Sequence, residues 1–413
     1  MGTYTILTIL IGLSAAFSYF NHKYIKLPFI IGLFFISTVI SLIVLSSKFW
    51  FPKPFYSFKY LLEKSNLSEF TIDIMLGFLL FAGALHTSWS HIKHQIKKIT
   101  VFALGGVIAS SFIVASLVYI LCNAFNLKIE FIYCLLFGAL ISPTDPIAVI
   151  GILTKANVPK KLETIIVGES LFNDGVGVVL FVALLESLQS GNASLSLIRL
   201  IQIFFQEAVG GVLFGLFLGF LLYKLLSSID HYETEVLLTL AFVMAGYSFC
   251  NYIHCSGALA MVVMGLFVGN FQQDKAMSDI TLEYIQKFWE LLDVILNAIL
   301  FILIAMVLLV IDLNLTNILI ASISVFIVLF SRIIVIFVPK WVFPKTIALK
   351  NAEANILVWG GLRGGLSIAL VLSLPENSAK NLFLISTYFC VVFSILVQGL
   401  TIERVAKYFE TSK

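Results

Sequence analysis

The sequence predicts an all-α polytopic membrane protein of about thirteen transmembrane helices, with inverted repeats and two interrupted, crossing helices. Three observations predict it. Of the 413 residues, 60% are hydrophobic and only 12% are charged, where a soluble domain carries about 25% charged residues; the mean hydropathy is +1.03. Apolar runs of about 20 residues, the length a helix needs to cross hydrocarbon, recur along the whole chain. Lys and Arg fall unevenly on alternate connections. This composition argues against a soluble enzyme, a nucleic-acid binder and a disordered chain, and a net charge of +3 implies no special affinity for polyanions.

The runs lie at about 3–20, 27–46, 70–88, 100–122, 130–154, 162–187, 197–226, 236–254, 256–271, 288–311, 315–338, 353–374 and 381–402. Each is read as a helix, because lipid offers no partner for backbone N–H and C=O groups. The first lacks a basic stretch and a cleavage site, so it reads as a retained span rather than a removed signal. The third ends in His86, His91 and His94 among Lys93, Lys97 and Lys98. These are either titrating imidazoles or a solvated basic loop, the commoner case under the orientation rule. In the seventh, Gly211, Gly215 and Gly219 form a stripe of small residues suited to a dimer contact or to packing within one protomer. Glu290 and Asp293 open the tenth, either as a cation-attracting funnel or as interfacial anchors. Connections are short except 47–69 and 272–287, with no soluble domain, so residues 1–413 read as one unit. The five cysteines, 122, 134, 250, 255 and 390, are odd in number and unpaired in spacing, which argues against a disulfide framework or a metal site.

With the N-terminus outside, seventeen of the 26 Lys and Arg fall on the inner face and seven on the outer. That is the bias expected of cytoplasmic loops, and it places the C-terminus inside. The remaining two, Arg332 and Arg363, fall within runs.

Two runs break the apolar pattern. The fifth contains Ser142-Pro143-Thr144-Asp145-Pro146, and the twelfth contains Gly360-Gly361-Leu362-Arg363-Gly364-Gly365. Proline lacks an N–H and disfavours helix in the residue before it, and clustered glycines permit unwinding. The two runs are seven helices apart, so they cross the membrane in opposite directions. Two kinked helices that merely pack would look like this; so would the paired broken helices of an inverted repeat that mark a secondary transporter's binding site. The intramembrane charges favour the second reading. Asp145, Glu169 and Asp174 face two bases, Arg332 and Arg363, and each ionised group at the bilayer centre costs at least ~2.5 kcal/mol. Three acids against two bases leave one carboxylate to take up a proton or bind a cation. The sixth run reads Gly168-Glu169-Ser170-Leu171-Phe172-Asn173-Asp174-Gly175. Residues four apart share a helix face, so Ser170 and Asp174 form one stripe of hard oxygen ligands, and Glu169 and Asn173 an adjacent one.

These three motifs, in this order, resemble the monovalent cation:proton antiporters, nearest the NhaP-type branch related to animal sodium/proton exchangers. Ser256-Gly257-Ala258-Leu259-Ala260 and Phe288-Trp289-Glu290 through Asn297 add to the resemblance. It implies a core of two inverted three-helix units, residues 100–189 and 313–413, and dimerisation or scaffold helices in 1–99 and 190–312 of a homodimer. It implies that Asp174 carries the transported ion or proton, and that Ser170 and Thr144 add oxygens for Na⁺, Thr144 through its carbonyl. It implies that Glu169 pairs with Arg363, and that Asp145, Asn173 and Arg332 form a polar cluster at the helix breaks. The Asn173–Asp174 pair resembles the electroneutral branch. The setting implied is a bacterial inner membrane, with monovalent cation, proton and lipid as partners, no nucleic acid and no cofactor. One departure stands out: relatives carry an acid in the third run where this chain has Phe81-Ala82-Gly83-Ala84. Asp73 lies nine residues earlier, about 13 Å along a helix, too far to replace it.

The function expected is exchange of Na⁺ or Li⁺ for H⁺, one for one, by alternating access at a single buried carboxylate. A K⁺/H⁺ antiporter on the same scaffold is the alternative. A polytopic enzyme would need a nucleophile, metal or cofactor motif, and none is found. A channel would need a carbonyl-lined filter, and a lone carboxylate suits a carrier better.

Overall fold

The computed structural model describes residues 3–53, 55–56, 59–60, 72, 75–155, 158–189, 197–271, 279–312 and 314–411, and no strand occurs among them. Asp73 lies outside the described residues. By length and composition, eight described helices can cross a membrane, and three shorter apolar helices accompany them, Leu76–Leu85, Phe131–Ile141 and Gly257–Asn270. Length alone therefore does not return a count of thirteen, because several runs fall on short or broken helices.

Helices α1 (Thr3–Phe20) and α2 (Phe29–Ser46) are joined through a π-helical turn, Asn21–Ile25. The Asn21 amide closes that turn, donating to the Leu27 carbonyl at 3.0 Å and accepting from the Leu27 N–H at 3.2 Å. Helix α3 (Leu76–Leu85) is followed by α4 (Trp89–Thr100), a π-helical turn (Val101–Gly105) and α5 (Gly106–Ala124). Residues 89–99 read as a loop by composition and are instead helical. Ile92 and Ile99 are buried on one face while His91, Lys93, His94 and Lys97 are exposed on the other, and that helical period is what folds the segment against the protein. Next come α6 (Phe131–Ile141), α7 (Ile147–Lys155), α8 (Lys160–Gln189), α9 (Leu197–Leu226), α10 (Tyr232–Tyr252) and α11 (Gly257–Phe271). Then follow α12 (Asp279–Val307), α13 (Leu315–Val342), α14 (Asn351–Trp359) and α15 (Gly365–Leu372). Helix α16 (Ser378–Val392) continues through a π-helical turn, Phe393–Gln398, into α17 (Gly399–Thr411).

Two apolar clusters form. One gathers α1, α2, α5–α8, the later half of α12 and α13–α17. The other gathers α3, α4, α9–α11 and the earlier half of α12 around Trp289. The buried Trp289 ring lies 4.6 Å from Phe81, and its Nε1 donates to Thr239 Oγ1 at 3.0 Å. The glycine stripe of α9 packs within the chain: a Cβ at Gly211 or Gly215 would lie 2.6 Å from the carbonyls of Ser256 and Ala260 at α11. Those small residues serve close approach of two helices of the same chain.

Candidate functional site

The two chain breaks meet each other. Between α6 and α7, Pro143 and Pro146 supply no N–H, so the backbone cannot continue as helix. The carbonyls of Ser142 and Pro143 are left at the end of α6, and the Arg363 guanidinium donates Nη1 to both, at 2.7 and 2.9 Å. A cation there opposes the negative end of the α6 dipole. At the other side of the break, Asp145 Oδ1 accepts from the Ile147 N–H at 2.9 Å, at the positive end of α7. The Asp145 N–H donates to the Leu362 carbonyl at 2.9 Å, tying the first break to the second.

The second break, between α14 and α15, has the same logic. Arg332 of α13 donates Nη2 to the Leu357 carbonyl at 3.1 Å, near the end of α14. Glycine is required by proximity at two positions here: a Cβ at Gly361 would meet the Arg332 guanidinium, and one at Gly364 would overlap the Asp145 carboxylate. Gly364→Ala is therefore expected to push the breaks apart, costing about 1–3 kcal/mol as overpacking does. Thermal melting in detergent checks this; an unchanged melting temperature would mean the breaks are not pressed together.

The pairing of the buried charges differs from the expected one. Glu169, 1% exposed, is bound in bidentate fashion by Arg332, through Nη1 to Oε1 and through Nη2 to Oε2 at 3.1 Å. It does not pair with Arg363, because the helix-end carbonyls of Ser142 and Pro143 take that guanidinium. Of Asp145, Asn173 and Arg332, the last two lie together and Asp145 lines a different surface. Asn173, Glu169, Arg332 and Arg363 share a small internal pocket, whereas Asp145 faces a large cavity. Asn173 holds Thr144 instead: its Nδ2 donates to Thr144 Oγ1 at 2.8 Å, and its Oδ1 accepts from the Thr144 N–H at 3.2 Å.

The large cavity, of about 490 Å³, brings Thr144, Asp145, Ser170 and Asp174 together. Ser170 Oγ donates to the Thr144 carbonyl at 2.5 Å. Asp174 is one turn further along α8, and among the described residues its carboxylate makes no hydrogen bond or ion pair. A carbonyl, a hydroxyl and an uncommitted carboxylate are oxygen ligands of the kind a hard monovalent cation takes. The same cavity is lined by His86, Glu163, Asp293 and Asn297. His86 is exposed, as His91 and His94 are, but of the three it alone lines this cavity. Asp293 lines the cavity and Glu290 does not, a distinction that helical spacing alone leaves open. On α3, Ala82 is packed in the second cluster. Gly83 is the residue that faces the cavity, and a Cβ there would meet nothing within 4 Å.

The same chain matches known proteins over nearly its whole length. The family described as "Sodium/hydrogen exchanger, transmembrane" matches residues 10–408. The Na⁺/H⁺ antiporter NhaP of Pseudomonas aeruginosa is 43% identical over 403 residues, covering 95% of this chain and 93% of that protein. The Na⁺/H⁺ antiporter NhaH of Halobacillus dabanensis is 33% identical over 355 residues, covering 84% and 85%. In fold, the chain is similar to the sodium proton antiporter MjNhaP1 of Methanocaldococcus jannaschii at pH 8, with a TM-score of 0.75 at 19% identity, covering 98% of this chain and 97% of that one.

Proposed function

This chain belongs to the sodium/hydrogen exchanger family, and on that footing we propose that it exchanges Na⁺ or Li⁺ for H⁺ one for one at Asp174. It is an integral membrane protein, and membership of an exchanger family takes it out of the enzyme class. The observation that carries the reading is the Asp174 carboxylate: among the described residues it has no hydrogen bond or ion pair, yet it shares a cavity with the Ser170 hydroxyl and the Thr144 carbonyl. A carboxylate in that position holds a proton or a cation, but not both at once. Asp174, Ser170 and the Thr144 carbonyl hold the cation in turn with the proton, while Asn173 keeps Thr144 in register. Asp145, Glu169, Arg332 and Arg363 hold the two breaks together. The relatives named as Na⁺/H⁺ antiporters support the choice of ions.

In this reading residues 100–189 and 313–413 move as the core against a scaffold of 1–99 and 190–312, in a homodimer. The N-terminus lies outside and the C-terminus in the cytoplasm of a cell bounded by this inner membrane. One site alternating between H⁺ and Na⁺ carries equal charge each way, so turnover is electroneutral. The test is cation-induced dissipation of a pH gradient in proteoliposomes with sodium, lithium and potassium. It is followed by sodium runs at different membrane potentials set with potassium and valinomycin, once potassium is known not to be transported. Sodium and lithium are expected to exchange at rates independent of voltage. Exchange of potassium alone would replace the ion, and net charge movement with a steep voltage dependence would defeat the one-carboxylate mechanism.

A further inference from the structure

Helix α14 ends at the second break, where its last four carbonyls need partners from beyond the helix. The chain itself serves two of them: the Gly360 N–H donates to the Ile356 carbonyl at 2.8 Å and the Gly361 N–H to the Val358 carbonyl at 3.4 Å. The Leu357 carbonyl takes Arg332. The last, that of Trp359, accepts from Gln398 Nε2 at 3.0 Å. Gln398 is 1% exposed and ends the π-helical turn Phe393–Gln398. Such a turn carries one residue more than an α-helical one, so it re-aims the side chains it bears. Within it the Ser394 hydroxyl donates to Gln398 Oε1 at 3.0 Å, which turns the amide with its N–H₂ toward Trp359. The Trp359 indole is held from the same side, its Nε1 donating to Thr401 Oγ1 at 2.9 Å. Three residues on from Trp359, the Leu362 N–H closes a turn onto the Gly360 carbonyl at 2.9 Å, and the Leu362 carbonyl accepts from the Asp145 N–H at 2.9 Å. That N–H belongs to the same peptide unit as the Thr144 carbonyl. A trans peptide is planar, with N–H and C=O opposed, so whatever fixes the one aims the other.

We propose that Gln398 is a positioning residue for the cation: by holding the end of α14 it fixes Leu362, and through Leu362 it aims the Thr144 carbonyl. The inference rests on the exchange reading above, in which that carbonyl holds the cation. Each broken helix is then gripped by an amide from the last run of its own unit. Asn173 of α8 holds the Thr144 N–H and hydroxyl at the first break, and Gln398 holds the Trp359 carbonyl at the second. A binding geometry is only as precise as the residues that support it. The effect falls on the cation alone. A proton on Asp174 needs nothing from the Thr144 carbonyl, whereas Na⁺ loses an oxygen ligand when that carbonyl turns away. Loss of the Gln398 amide therefore weakens sodium in its competition with protons and leaves the proton's own binding where it is.

The experiment measures initial rates against sodium concentration, at several pH values, in proteoliposomes of wild type, Gln398→Leu, Ser394→Ala and Thr401→Val. Gln398→Leu keeps the bulk and removes the amide. Its apparent KM for sodium is expected to rise about tenfold, the equivalent of ~1.4 kcal/mol, by the same factor at every pH. Its maximal rate is expected to stay within about threefold of wild type. Ser394→Ala removes the donor that orients the amide and is expected to raise KM about threefold. Thr401→Val releases only the Trp359 ring and is expected to leave KM within about twofold of wild type. If Gln398→Leu does not fold, Ser394→Ala carries the test. An unchanged KM in the variant that folds overturns the inference. So does a maximal rate lost as completely as in an Asp174 variant. A KM shift that varies with pH overturns it too, because Asp174 itself would have moved. An equal shift in Thr401→Val does the same, because any loosening of this turn would then act alike. Absence of exchange by wild-type vesicles overturns the functional reading and this inference together, whereas an exchanging wild type with a KM indifferent to Gln398 overturns the inference alone.

Discussion

Asp174→Asn is expected to reduce sodium/proton exchange to the background of empty vesicles while the protein folds and melts no earlier than wild type. The two halves of that expectation come from one observation, the absence among the described residues of any hydrogen bond or ion pair to this carboxylate. A group with no hydrogen-bond or ion-pair partner can be neutralised without orphaning one, so the fold is expected to survive. Asn keeps the shape and an oxygen but can neither hold a proton between cycles nor balance a cation. Every other acid of the broken-helix region fails this test of independence. Glu169 is held by Arg332, and Asp145 by the Ile147 N–H, so their neutralisation unbalances structure as well as charge. The measurement is pH-gradient dissipation by purified variant in proteoliposomes, beside thermal melting in detergent. Exchange above about a tenth of the wild-type rate, well outside the loss expected of a group essential to each turnover, would remove Asp174 from the mechanism.

The architecture is readable because its determinants are local. Pro143 and Pro146 interrupt the fifth run by covalent structure alone, and the glycines 360, 361, 364 and 365 interrupt the twelfth; both breaks stand where the sequence puts them. The offset of seven runs from one to the other already implies that they cross in opposite directions. Spacing on α8 also puts Ser170 and Asp174 on one stripe, and both line one cavity. What the sequence does not contain is which of two arginines meets which acid. Arg332 and Arg363 lie on different elements, and either charge satisfies Glu169 in a count of charges. The choice is made by backbone geometry: a broken helix exposes carbonyls at its end, and the arginine nearest each end is spent there first. Arg363 is nearest α6 and is occupied there; Arg332, nearest α14, has one face left for Glu169. The segment 89–99 is hard to read for another reason. Its Lys and His content suits a loop, while its buried Ile92 and Ile99 obey a helical period that spacing, not composition, reveals. Asp293 is visible in the sequence as an acid at the start of a helix. Which side of α12 faces water is decided only by Trp289, locked in the second cluster.

The Glu169–Arg332 pairing makes a prediction that separates the two arginines. Arg332→Ala leaves the Glu169 carboxylate buried without a cation, and breaking one side of a buried ion pair costs about 3–5 kcal/mol. The variant is expected to express poorly or to melt far below wild type. It also frees the Leu357 carbonyl at the end of α14, so the loss is not of the pair alone. Arg363→Ala leaves Glu169 still bound by Arg332 and removes instead the hydrogen bonds to the Ser142 and Pro143 carbonyls, each charge-assisted bond being worth about 1.5–3 kcal/mol. Total destabilisation of the two single variants is therefore comparable, and size alone does not distinguish them. Coupling does. In a double-mutant cycle, Glu169→Gln is expected to relieve much of the cost of Arg332→Ala, because the neutral amide no longer needs a cation, and to add independently to Arg363→Ala. Replacing both Glu169 and Arg332 with Gln and Met is expected to recover still more, as apolar or neutral substitutes for a buried pair commonly do. Melting temperatures of the six variants in one detergent supply the cycle. Strong coupling of Glu169 to Arg363, with none to Arg332, would return the pairing to the one that charge counting allows equally well.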